Sequence, residues 1–147
     1  WRQPPSWAEA GRQPLSPPEL ALVHAEVEYR EWLRRLAALV SDEGEGVEPP
    51  DPQLSRFSLW LRGEGRQQCA GMAEFEALRS GHEQLCRLLV RLRQEHAEGQ
   101  AEAVQHHWEQ FRHELAQMQL RLQALSERLT DQIDSARMPI SSAFASF

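Results

Sequence analysis

Apolar residues recur at steps of three and four through most of the chain, a spacing that predicts helices and not strands. The first stripe, Leu22, Ala25, Tyr29, Leu33, Leu36 and Val40, predicts a helix over residues 17–41. Its start is marked twice. Ser16 precedes Glu19 by the three residues of a capping box, and Pro17 falls at the first helical position, where its missing N–H costs no bond. A shorter helix is predicted over residues 52–62, with Leu54, Phe57, Ser58 and Leu61 on one face and Trp60 on its flank; Gly63-Glu64-Gly65 closes it. A third, over 70–97, carries Phe75, Leu78, His82, Leu85, Leu89, Leu92 and His96 on one stripe. Gly81 lies inside that helix at a propensity cost of about 1 kcal/mol relative to Ala. The fourth and longest, over 100–136, has a sustained seam of Val104, Trp108, Phe111, Leu115, Met118, Leu122, Leu125, Leu129 and Ile133.

Four such stripes bury against one another, so the expected fold is all-α, a four-helix bundle over residues 16–136. At ~1.5 Å per residue the last helix should reach ~50 Å against ~40 Å for the third, and its C-terminal end is expected to project beyond the bundle. A seam left open from Leu115 to Ile133 would ask for a partner, and a second copy of the chain is the expected one. Residues 1–15, with Pro4, Pro5 and Pro14 and weak periodicity, read as a disordered lead-in. Pro139 ends the helical pattern, and residues 137–147 read as a tail.

Composition changes this picture little. Hydrophobic residues at 41% and charged residues at 26% suit a globular domain. The net charge of −6 is spread along the chain, without the basic stripe that nucleic-acid binding needs. No apolar run approaches the ~18 residues of a membrane span, and no signal-peptide pattern appears. A cytoplasmic setting is the expectation. There, Cys69 and Cys86 are expected as free thiols.

Three segments carry a family resemblance: Ala25 to Leu33 around Trp32, Leu54 to Gly65 around Trp60, and His82-Glu83-Gln84-Leu85-Cys86. In this order and spacing they resemble the chemoreceptor zinc-binding domain of bacterial chemoreceptors and of a zinc-regulated diguanylate cyclase. Trp32, Phe57, Trp60, Leu61 and Gly65 match its scaffold positions over about residues 20–136. The resemblance implies a dimeric four-helix bundle that holds one zinc with three histidines and a cysteine and signals to an attached output module. Of the implied ligand positions, His82 is kept. Cys86 stands where the family has a second histidine, Tyr29 where it has the first-helix histidine, and Ser55 where it has the cysteine; Ser58 replaces a motif glycine.

Three readings of these residues stay open. His82 and Cys86, four apart on a helix, point the same way and could share a zinc ion. Tyr29 and Ser55 are poor ligands because neither ionises readily near neutral pH. His24 is a weak substitute, since it lies five residues, or ~140° of helix, from Tyr29. Alternatively, His82 is a core histidine bonded to Tyr29 or Ser55, Cys86 is a small buried hydrophobe, and no metal binds. A third possibility is a redox-responsive module using Cys86. A second group, His106, His107 and His113, falls opposite the fourth seam and reads as a solvated face. The chain has no phosphate-cradling glycine loop in the required strand context. Its glutamates read as outward-facing, so no enzyme is expected. The expected role is sensory or regulatory: a degenerate zinc-binding-type bundle, with the output domain or partner outside this segment, or a bundle acting alone.

Overall fold

The computed structural model describes residues 15–41 and 48–137, residues 134–137 by backbone alone. Residues 1–14 of the expected lead-in, residues 42–47 of the loop and residues 138–147 of the expected tail lie outside the described residues, while Arg137, expected in the tail, still belongs to the last helix. Helix α1 spans Pro17–Val40. A 3₁₀ turn at Pro52–Leu54 follows, then α2 at Arg56–Arg62 and α3 at Glu64–Gln68. Helix α4 spans Ala73–Ala97 and α5 spans Ala101–Arg137. The fold is all-α, with no strand among the described residues.

The local signals explain where α1 and α2 begin. The Ser16 hydroxyl accepts the Glu19 backbone N–H at 3.4 Å, and the Glu19 carboxylate accepts the Ser16 N–H at 3.1 Å. These two bonds satisfy donors that the first helical turn would leave open. The expected helix over 52–62 is divided. Ser55 adopts an extended backbone and its hydroxyl accepts the Ser58 N–H at 3.1 Å, which makes it the N-cap of α2. Leu54 is thereby outside that helix and 79% exposed, so it does not share the face of Phe57 and Leu61. Helix α2 ends at Arg62 as expected, with Gly63 as its C-cap, and a further short helix, α3, then begins at Glu64. Helix α4 starts three residues later than expected, at Ala73.

Gly99, at φ +72, turns the chain between α4 and α5 in a conformation that side chains rarely adopt. The two helices then run antiparallel. Gly81 faces Met118 and Arg121 of α5, so a Cβ there would collide with both. This glycine thus leaves room for the ends of the Met118 and Arg121 side chains. Helix α1 also runs antiparallel to α5: Leu39 and Val40 stand beside Ala101 and Val104, and Tyr29 beside Leu122. The first turns of α1 therefore lie along the last turns of α5. Leu22 and Ala25 are buried on one side of that contact, and Leu125 and Leu129 on the other. The α5 seam is thus buried through Leu129, and the expected projection is confined to the turns after it. The crossing segment after α1 is pinned where Arg93 of α4 donates to the carbonyls of Pro49 and Pro50 at 2.9 and 3.1 Å.

Candidate functional site

Helix α2 packs on α1 and brings an aromatic cluster over the first half of α4. Phe57 meets Tyr29 edge-on at 6.0 Å and stacks on Trp60 at 5.6 Å. His82 lies inside this cluster, 3% exposed. The Trp32 ring stacks on it at 6.0 Å, and Phe57 meets it edge-on at 5.2 Å.

Both nitrogens of the His82 ring are engaged. Tyr29 Oη lies 2.6 Å from Nδ1, and Ser58 Oγ lies 2.6 Å from Nε2. Cys86 Sγ is 3.4 Å from Nε2 and 4.0 Å from Ser58 Oγ. Burial, with the Arg62 charge behind it, lowers the His82 pKa from 6.5 to about 4, so the ring is neutral at physiological pH. A neutral imidazole has one N–H and one acceptor nitrogen. If Tyr29 donates to Nδ1, the Nε2–H donates to Ser58 Oγ, and Cys86 Sγ lies at the edge of the same bond. The opposite assignment strands the Tyr29 hydroxyl proton in the core, where no other described residue accepts it. The first assignment leaves over only the Ser58 hydroxyl proton.

The remaining shifts follow burial. Tyr29 titrates well above its usual 10, because the core disfavours a phenolate. Burial also raises the Cys86 thiol, partly opposed by the Ser58 hydrogen bond. A thiol held this way stays protonated at neutral pH and is a poor nucleophile. Glu28 is raised by burial despite accepting from Ser55 and from the Arg56 backbone.

The structure therefore brings together Tyr29, His82 and Cys86 but not Ser55. The Ser55 hydroxyl donates to Glu28 Oε2 at 2.9 Å while capping α2. Ser58 takes the place against His82 that Ser55 was expected to take. His24 is exposed and lines a separate cleft with Val27, Glu28, Arg56 and Phe57, not the one that His82 and Cys86 line. His96 is exposed too, and Glu95 is buried in its stead, with its carboxylate 2.6 Å from His107 Nδ1. His107 thus leaves the solvated face, whereas His106 and His113 remain exposed on it.

As metal ligands, His82 Nε2 and Cys86 Sγ have a fitting separation. A tetrahedral zinc bound to one nitrogen and one sulfur holds them about 3.6 Å apart. Ser58 Oγ, however, lies against the nitrogen where the ion would sit. No group of three or more His, Cys, Asp or Glu side chains suited to a metal occurs among the described residues.

Beside the cluster lies a cleft of about 300 Å³ between α2 and α4, with Ser58, His82 and Cys86 lining it. Arg62, Arg79, Glu83 and Arg87 line its sides. The spacing of apolar residues gave no sign of these arginines, because exposed charged positions carry no periodic signal. Ser58 did have one: a serine on the inward face of a short apolar helix needs a partner in the core. Compared with known proteins, the chain matches no family model, no curated protein and no solved structure.

Proposed function

We propose that the chain is a non-catalytic sensory or regulatory helical domain of bacterial signal transduction, of the chemoreceptor zinc-binding type, in which hydrogen bonds have replaced the metal. The observation that carries this reading is the engagement of both His82 ring nitrogens by hydroxyls at 2.6 Å, from Tyr29 on one side and Ser58 on the other. A zinc ligand must offer a free ring nitrogen, and the remaining nitrogen is then held by an outer partner. Here Ser58 fills the inner position. The raised Cys86 thiol supports a role without nucleophilic or redox chemistry.

The test is equilibrium dialysis of the full chain against zinc. At zinc concentrations of about 10 μM the expected uptake is far below one equivalent, against the apparent affinities of about 10 kcal/mol or more that four-ligand sites reach. Stoichiometric uptake that His82→Ala abolishes would overturn the reading. It would favour the second one, a zinc sensor built on His82 and Cys86 that controls a cyclase or chemoreceptor output. That alternative has one observation on its side, the 3.4 Å separation of Nε2 and Sγ.

A cytoplasmic setting and a homodimer belong to the same proposal. Among the described residues no helix is long and apolar enough to cross a membrane. The α5 seam does not support self-association, since α1 covers it. The outer face of α1 does: Leu20, Val23 and Val27 are exposed one turn apart, and the Glu31–Arg34 pair continues the stripe. Two such faces meeting antiparallel about Val23 set the exposed apolar residues of one copy against those of the other.

A further inference from the structure

The cleft beside His82 has a charge imbalance that the hydrogen bonds at its floor do not use. Three arginines line it against one glutamate. Glu83 is shared, 3.4 Å from Arg79 and 3.8 Å from Arg87. Arg79 is also held by Glu76 at 2.7 Å. Arg62 comes from the opposite wall, at the end of α2, and has no carboxylate partner among the described residues. At the floor is the Ser58 hydroxyl, 6% exposed. With Nε2–H donating into it, its own proton is left with Cys86 Sγ, 4.0 Å away, as the nearest acceptor found for it. A buried donor without a good acceptor beside an unpaired guanidinium defines a place for an incoming oxygen that carries negative charge.

We propose that this cleft binds a small phosphate-type oxyanion, a free phosphate or a phosphate monoester, through Arg62 and Arg87 with the Ser58 hydroxyl donating at the floor. Arginine suits the role because its planar fork offers paired donors to such an anion. Once Glu83 and the Glu76 that holds Arg79 are counted, one positive charge is left on the walls, which favours an anion there. Entry of the anion draws Arg87 off its long contact with Glu83, so α2 and α4 become bridged through the ligand. The proposal shares the His82 hydrogen-bond assignment with the functional reading above. It fails separately from that reading, because phosphate and zinc titrations are independent measurements.

Calorimetric titration of the full chain with inorganic phosphate and with methyl phosphate, at constant ionic strength set with chloride, tests it. One site with a dissociation constant below about 1 mM is expected. Arg62→Glu should weaken binding at least about tenfold, the scale of a lost charge-assisted bond. Arg62 is exposed and without a carboxylate partner among the described residues, so the variant should keep its helix content and melting temperature. Ser58→Ala should weaken binding several-fold. Arg128→Glu, on the exposed face of α5, should leave it unchanged. Tighter binding of methyl phosphate than of phosphate identifies a monoester as the ligand; the reverse identifies the free ion. Absence of binding up to about 10 mM of either, or binding that Arg62→Glu leaves intact, overturns the proposal.

Discussion

The buried His82 ring ties the stability of the fold to pH. Its pKa falls from 6.5 to about 4 because the folded core excludes water from the ring. Between those values the unfolded chain binds a proton that the folded chain refuses. The stability from His82 is therefore whole above about pH 6.5 and is lost as the pH falls through about 4. The full loss is about 3 kcal/mol, from the two pKa values at 1.36 kcal/mol per unit. Glu28 works the other way: burial raises its pKa, so its contribution grows as the pH falls. Urea unfolding of the native chain and of His82→Gln separates the two. Relative to the native chain, His82→Gln should gain about 3 kcal/mol between pH 7 and pH 4. Parallel pH dependence in both proteins would contradict a buried neutral His82.

At the scale of elements, the pairing of α1 with the far end of α5 decides how the longest helix is used. Leu129 is 5% exposed although it lies near the far end of α5. Leu129→Ala should then cost about 2–4 kcal/mol, as for other buried leucines, and Leu22→Ala across the contact should cost a similar amount. Denaturant midpoints at unchanged slope would measure both. A Leu129→Ala cost below about 0.5 kcal/mol would mean that this turn is not packed. The ends of the elements were harder to read than their middles. After Leu92, both the third and the fourth residue continue a helical stripe, so His96 and Glu95 fit the pattern equally well. The tertiary contact with His107 selects Glu95. In the same way, the stripe ran Leu54 into Phe57, although Ser55 could serve equally as a helix residue or as a cap. Only its bonds to Glu28 and Ser58 show that it caps.

For the whole molecule, burial of the α5 seam moves the expected self-association to α1. Sedimentation of the native chain at tens of micromolar should show a dimer. Val23→Glu with Val27→Glu should return it to monomer without lowering its melting temperature, because both side chains are exposed in the single chain. A native chain that is monomeric at those concentrations would remove the homodimer.

The order of residues alone is enough to make the chain helical, to place its long helices and to mark most of the leucines and aromatics that face inward, though not Leu54, which is exposed. Those properties follow from local capping and from the 3.6-residue period, and both are written in neighbours along the chain. It also singled out Tyr29, His82 and Cys86 as one constellation, through spacing within α4 and resemblance across α1. The tertiary structure alone decided that Ser58 and not Ser55 meets His82, that Glu95 and not His96 is buried, and that α1 covers the end of α5. Each of these depends on the rotation and offset of one helix against another. Packing of whole side-chain surfaces sets those quantities, and no local pattern encodes them.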